Sequence, residues 1–187
     1  MVDESDSKAP GALRRIQAFI NSEDLENRTD DLRTPDALRS WLVEWGVLAE
    51  TEPTGANDVA LARRVRAALR DLAFANNHGT ASPESWDFLN RAAADAGVHI
   101  RLAPDGGQLV TTLGGVPGAM GRLLADVYEA MQAGTWQRLK ACRDDTCRWV
   151  FYDRSKNRSG AWCSMAECGN RAKTRAYRRR SRPAMPA

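Results

Sequence analysis

The chain lacks the features of exported, membrane-spanning and disulfide-bonded proteins. Its first 141 residues contain no cysteine, and no stretch approaches the ~18 apolar residues of a membrane span. The N-terminal segment MVDESDSK is acidic and polar, unlike a secretory signal or a transit peptide. We therefore expect a cytoplasmic protein without a membrane partner, in which reduced cysteines favour metal binding over disulfides.

Recognisable catalytic patterns are also missing. The chain has only two histidines, His78 and His99, and neither has an evident partner. The glycine-rich loop at 114–118 is not followed by the Gly-Lys-Ser/Thr of a phosphate-binding loop. No serine lies in a nucleophile elbow, and no carboxylate pair has an acid–base setting. We therefore expect a protein that is not an enzyme.

The last quarter of the chain does contain four cysteines, spaced C-x4-C, fifteen residues, C-x4-C: Cys142, Cys147, Cys163 and Cys168. Two close pairs across a short loop are typical of one tetrahedral zinc ion with four thiolate ligands. A segment of roughly 45 residues with few aliphatic side chains buries too little apolar surface to fold without a bound metal or a cross-link. Two disulfides or unrelated free thiols are the alternatives, and we favour one structural Zn²⁺, which four protein ligands leave without an open position for catalysis.

The surroundings of the cysteines predict a small treble-clef-like module. The stretch 149–152 is β-branched and aromatic, so the first cysteine pair is expected at the turn of a short hairpin. The second pair leads into a helix that begins at Cys168. A helix start places N–H donors and the positive end of the dipole beside the thiolates.

Charge is divided unevenly along the chain. Residues 138–182 contain fourteen Lys or Arg and four acids, a net charge of +10, while the remainder carries −7. Such a division indicates a polyanionic partner for the C-terminal part alone.

The first part reads as mainly helical with one β-hairpin, an α+β fold. Thr34 and Ser82 each precede a proline, a combination typical of helix starts, and Asn57 is predicted to cap a long third helix. The alternating stretch 98–113 turns at Pro104–Gly107 and predicts the hairpin. A helical stripe then runs from 116 to 131.

The residues around the cysteines resemble a known zinc finger. Cys168-Gly169-Asn170-Arg171, with 151–153, 162–165 and 170–175, is similar to the CGNR-type finger of bacterial proteins. In that family the finger follows a helical ABATE domain, which 19–21, 31–35 and 41–48 resemble. The resemblance implies zinc on the four cysteines and a regulator of transcription in the stress response.

These observations divide the chain into an ABATE-like regulatory domain at 9–135 and a CGNR-type finger at 136–182. Disordered tails are expected at 1–8 and 183–187. The predicted function is zinc-dependent binding of double-stranded DNA, with the first domain sensing an effector or forming a homodimer.

Arginine suits phosphate because its guanidinium donates two parallel hydrogen bonds. On a helix from Cys168, Arg171, Arg175 and Arg178 share one face with Arg182, and Asn170 or Arg171 is placed to reach base edges. If six to eight residues meet phosphates, the log–log salt slope is about −5 to −7. The candidate nucleic-acid contacts are Arg154, Lys156, Arg158, Asn170, Arg171, Lys173, Arg175, Arg178, Arg179 and Arg182.

Three alternatives stay open at this point. The aromatic residues of the finger are candidates for stacking on unpaired RNA bases, and the basic segment could be a solvated tail. A protein-interaction adaptor tethered to nucleic acid is the third. For the effector, polar and indole groups on otherwise apolar helices suggest a ligand pocket, although tryptophan on such a face is more often core: Asn21, Trp41, Trp45 and Trp86.

Overall fold

The computed structural model describes residues 8–104 and 106–180. Of the two predicted tails, only Lys8 lies within the described residues; it is exposed, and its carbonyl accepts a hydrogen bond of 2.9 Å from Arg154. Arg182 lies outside them. No helix in the described ranges is both long and apolar enough to cross a membrane.

The first part of the chain contains five helices and two small antiparallel hairpins. The helices are α1 (Ala12–Asn21), α2 (Pro35–Glu44), α3 (Ala56–Ala75), α4 (Pro83–Asp95) and α5 (Gly115–Gln132). The hairpins pair β1 (Glu23–Asp24) with β2 (Thr29–Asp30) and β3 (Val98–Ala103) with β4 (Gly106–Thr111). The prediction of a mainly helical fold with a hairpin is confirmed.

Local capping explains where the helices begin. Thr34 Oγ1 accepts from the Ala37 N–H at 3.2 Å, and Ser82 Oγ accepts from the Ser85 N–H at 3.1 Å. The predicted cap at Asn57 is wrong. Helix α3 begins at Ala56, and the Asp58 carboxylate accepts the Gly55 N–H at 2.8 Å, because an acid three residues into a helix can reach back to its free N–H.

Helices α1, α3 and α5 surround the centre of the core. Ile16 and Phe19 of α1, Leu69 of α3 and Leu123 of α5 are completely buried. Helix α2 adds Leu38 to the same cluster.

The β1–β2 turn is fastened to α3 by arginines. Arg66, only 1% exposed, donates to both carboxylate oxygens of Asp30 at 2.8 and 2.9 Å. Arg70 pairs with Glu23 and donates to the Ile20 carbonyl at 2.7 Å. Because a buried guanidinium must be paired, these contacts fix the turn that carries Glu26.

The last part consists of a short hairpin and a helix. Strands β5 (Leu139–Ala141) and β6 (Val150–Tyr152) pair antiparallel after a single 3₁₀ turn at Trp136–Arg138. A π-helical turn, Met165–Gly169, continues into α6 (Asn170–Arg180). The predicted hairpin and helix are therefore both present, with Cys168 in the π turn just before α6.

The β5–β6 hairpin packs into the core of the helical part. Leu139, Ala141 and Val150 are completely buried in the cluster formed by α1 and α3. Asn21 accepts from the Val150 N–H and donates to its carbonyl, both at 2.8 Å. The boundary between 135 and 136 thus stays a prediction, while apolar residues on either side of it share one core.

Candidate metal centre and basic helix

The four cysteine sulfurs lie together, all within 4.8 Å of one another. Cys163 Sγ is 3.5 Å from Cys147 Sγ and 3.6 Å from Cys168 Sγ. A disulfide bond would be about 2.05 Å long, whereas tetrahedral zinc with bonds of about 2.3 Å separates its sulfurs by about 3.8 Å. The arrangement therefore fits a four-thiolate zinc site and excludes the two-disulfide alternative, as all four cysteines are free.

Backbone N–H groups approach the sulfurs of the first cysteine pair. The N–H groups of Asp144 and Cys163 are directed at the Cys142 thiolate, and the N–H of Trp149 is directed at that of Cys147. A tight loop closes this first pair, with the Cys147 N–H on the Asp144 carbonyl at 3.0 Å. Such donors partly neutralise thiolate charge and orient the ligands.

The close contact of the four sulfurs shifts the thiol pKa values in opposite directions. Hydrogen bonds from Cys147 and Cys163 lower the pKa of Cys142 to about 2. The hydrogen bond to Cys142 in turn raises the pKa of Cys147 to about 12 and also raises the pKa of Cys163, while burial raises the pKa of Cys168. One thiolate thus suppresses ionisation of its neighbours. A divalent ion removes this repulsion and holds all four deprotonated.

Gly169 lies against the side chain of Met165. A Cβ at this position would lie 2.9 Å from both Cε and Sδ of Met165. Its N–H donates to the Ser164 carbonyl at 3.0 Å, not to a cysteine. Because Met165 is 55% exposed and its side chain is flexible, it could move aside, and this contact does not by itself require glycine.

Arg171 connects the finger to the helical part. Its guanidinium donates to Cys168 Sγ at 3.0 Å, lies 3.1 Å from the Asp144 carboxylate through Nε, and pairs with both oxygens of Glu26. Arg175 adds a contact of 3.2 Å to Asp144, which is buried. Two arginines predicted to contact nucleic acid thus hold α6 against the first cysteine loop.

A buried ion pair that sequence inspection missed shapes the basic loop at 153–160. Lys140 and Asp153 lie 2.7 Å apart with side chains only 2% and 3% exposed. Burial by itself raises the pKa of Asp153, but Lys140 and Ser155 outweigh it and hold the pKa at about 2. Lys140 also donates to the Gly160 carbonyl at 3.1 Å, so the pair closes the loop on both sides. Nothing in the sequence around Lys140 predicts that its side chain is buried.

The remaining predicted nucleic-acid contacts lie in two exposed groups. The loop presents Lys156 and Arg158, while Arg154 is drawn to the Lys8 carbonyl and lies over the Tyr152 ring at 5.6 Å. Helix α6 presents exposed Lys173, Arg178 and Arg179. Asn170 donates to the Ala166 carbonyl at 2.9 Å on the exposed surface of the helix start.

The aromatic residues of the finger divide between core and surface. Phe151 and Tyr152 are buried in the hairpin, and Trp162 packs against the cysteine cluster. Trp149 is 37% exposed and Tyr177 66% exposed. Among the aromatic residues in the described part of the finger, these two are the exposed ones.

The four residues predicted to line an effector pocket do not meet. Asn21 and Trp45 share a cavity beside Trp149, whereas Trp41 stacks behind Trp45 at 5.4 Å between ring centroids. Trp86 lies on α4, is 43% exposed and does not line this cavity. Asn21 and Trp45 thus line one cavity, Trp41 and Trp86 do not, and a ligand pocket at this place stays a prediction.

A closed four-cysteine site on a short hairpin and a following helix, fused to a mainly helical part, defines a zinc-finger protein with an N-terminal α+β domain. The CGNR zinc finger family matches residues 138–181. The ABATE family, described as "Putative stress-induced transcription regulator", matches residues 13–133, more than half of the chain. The chain belongs to this family. No curated protein matches it.

The site fits one structural Zn²⁺. Cys142, Cys147, Cys163 and Cys168 would hold the ion as thiolates, and the ion would supply fold stability and charge compensation. The N–H donors and Arg171 orient these ligands.

Proposed function

We propose that the protein is a non-enzymatic, zinc-dependent regulator of transcription that binds double-stranded DNA through α6 and the 153–160 loop. One observation carries this proposal. Six of the eleven residues of α6 are Arg or Lys and none is acidic, and the helix is mounted directly on the zinc ligands. A helix of such charge is stabilised when phosphates neutralise it.

The mounting supports binding to an ordered duplex rather than loose attraction. Arg171 and Arg175 anchor one side of α6 to Asp144, so the other sides project from a fixed base. Lys173 and Arg180 are exposed there. An α-helix fits the major groove of B-DNA, where basic side chains reach phosphates on both walls.

The internal ion pairs reduce the number of phosphate contacts we expect. Arg171 pairs with Glu26, and Arg175 pairs with Asp144. The exposed basic residues of the loop and of α6 are therefore the ones left to donate hydrogen bonds to phosphates. With four to six phosphate contacts the log–log salt slope is about −4 to −5. This is shallower than the slope expected when every basic residue of the helix contacts DNA.

The helical part supplies regulation in this proposal. Its charge is net negative, and it reaches the zinc ligands through Glu26 and through the Asn21 contacts to β6. A change in that part, by an effector or by dimerisation, would alter how α6 is presented.

Fluorescence anisotropy with a short labelled duplex over a range of salt concentrations tests the proposal. We expect binding at low salt, the slope given above, and weaker competition by a structured RNA than by unlabelled duplex. Failure to bind any duplex at low salt would contradict DNA binding. Preferential competition by RNA would instead assign the basic surface to RNA.

A further inference from the structure

A cavity of about 370 Å³ lies where α1 meets the zinc finger. Its walls come from both parts of the chain: Lys8, Arg14, Asn21, Trp45 and Trp149. Small-molecule sites are typically concave, about 300–1,000 Å³ in volume and lined by aromatic groups with a few polar ones. The cavity meets this description and belongs neither to the metal site nor to the surface of α6.

The helical wall of the cavity is rigid. Trp45 stacks on Trp41 with 5.4 Å between ring centroids and 25° between ring planes, and Trp41 in turn packs on the buried Phe19. The Trp45 carbonyl accepts from Arg15 Nη1 at 3.2 Å. The Trp45 indole is thus held in place by the core and costs little conformational entropy when a ligand binds.

The finger wall is equally fixed. The Trp149 carbonyl accepts from the Cys142 N–H at 2.9 Å, and its own N–H is directed at Cys147. The next residue, Val150, is bound on both backbone groups by Asn21. Yet the Trp149 side chain is 37% exposed, a large apolar surface that the fold leaves uncovered.

The cavity is electropositive, and its amides are already engaged. Lys8 and Arg14 are the charged residues that line it, with no acid among them. The Arg14 side chain has no hydrogen-bond or ion-pair partner in the described part of the chain. Asn21 is committed to Val150, so indole faces and positive charge are the groups left for a ligand.

We propose that this cavity binds a planar aromatic anion, with its ring against Trp45 and Trp149 and its carboxylate or phosphate beside Arg14 and Lys8. Stacking on an aromatic face and a charge-assisted contact to arginine together give both orientation and affinity. A ligand in this position contacts α1 and, at the same time, Trp149, which lies two positions after Cys147. Its effect on α6 rests on the proposed function, whereas its binding does not.

Isothermal titration calorimetry on the full zinc-loaded chain, without nucleic acid, tests the site. The probes are 2-naphthoate, its neutral amide 2-naphthamide, and the non-aromatic anion cyclohexanecarboxylate. We expect 2-naphthoate to bind about tenfold more tightly than 2-naphthamide or cyclohexanecarboxylate, because the amide lacks the negative charge and cyclohexanecarboxylate lacks the aromatic ring. AMP in the same titration distinguishes a nucleotide from an aromatic carboxylate as the preferred source of the anion, and either result supports the site.

Variants locate the binding. Arg14→Gln and Trp149→Leu should each weaken 2-naphthoate about fivefold or more, while Trp149→Phe should keep most of the affinity and shows that the finger still folds. Trp86→Leu is the matched control and should leave the affinity unchanged. Equal binding by Trp149→Leu and wild type, equal affinity for the three probes, or no binding at all would overturn the proposal. Because DNA is absent, none of these outcomes depends on the regulator function.

Discussion

The helical part and the zinc finger hold their shapes by different means. Helices α1 and α5 bury Ile16, Phe19 and Leu123 completely and are held together by apolar packing. Around the cysteines, by contrast, the contacts are polar: four sulfurs, the Asp144 carboxylate with its arginines, and the Lys140–Asp153 pair. The comparison indicates that the finger is held in shape by the pairing of opposite charges. Removing either member of a pair should therefore destabilise it.

The two regions nevertheless meet in one core. Strands β5 and β6 lie against α3 and α1, and Asn21, Asn76 and Asn77 satisfy backbone groups across the joint. A disturbance of the metal site should therefore reach the helices. The predictions below test how far the two regions can be separated.

Loss of a zinc ligand should have the largest effect. Cys163→Ser leaves three thiolates, and we expect bound zinc to fall from one per chain to near zero. Structural zinc contributes roughly 10–16 kcal/mol of apparent binding free energy in finger peptides, so the unfolding temperature of the helices should fall as well. Elemental analysis and circular dichroism during heating measure both. Ser164→Ala, which removes only the cap on the Glu167 N–H, is the control and should keep its zinc. Helices that melt as in wild type after zinc loss would show that the regions are independent.

Breaking the buried ion pair should come next. Asp153→Asn leaves the Lys140 ammonium without its counter-ion, which costs about 3–5 kcal/mol in free energy of unfolding by urea. The double variant Lys140→Met, Asp153→Asn should recover much of that loss. Because the pKa of Asp153 is lowered to about 2 in the folded state, its stabilisation is present above about pH 4 and is lost as the pH falls toward 2. An unchanged wild-type profile in that range would contradict the assignment.

The joint itself should be less costly to disturb. Asn21→Ala leaves the Val150 N–H and carbonyl without their side-chain partner, a loss of about 2–3 kcal/mol in free energy of unfolding. Asn27→Ala removes an exposed contact to Asp24 and serves as the matched control. Equal stability of the two variants would mean that the joint contributes little.

Much of this architecture could be predicted from the sequence. Cap-and-proline pairs marked α2 and α4, and cysteine spacing marked the metal site, because local geometry imposes both. The partners of Arg171 could not be predicted, since Glu26 lies 145 positions away and meets it only after Arg66 and Arg70 fasten the β1–β2 turn. For the same reason, helical periodicity predicts that Arg171 and Arg175 share one face of α6. It cannot predict that this face meets the buried Asp144 instead of being free for DNA.

Replacing Glu26, the acid that pairs with Arg171 of α6, should have the smallest effect. Glu26→Gln frees one guanidinium and removes a negative charge beside the basic helix, so duplex DNA should bind about two- to tenfold more tightly at low salt. Glu50→Gln, an exposed acid elsewhere, is the control in the same anisotropy assay. Weaker binding in Glu26→Gln would mean that the contact serves to position Arg171 for DNA.

The central claim is that DNA affinity resides on the zinc-held helix rather than in net charge. Duplex affinity tests it most directly when it is measured over the same series of salt concentrations for two double variants, Lys173→Ala, Arg179→Ala and the equally neutralised Arg33→Ala, Arg91→Ala. All four positions are exposed. We expect the first variant to lose roughly tenfold or more in affinity with a salt slope shallower by about 2, and the second to match wild type. Equal losses in the two variants would contradict the account.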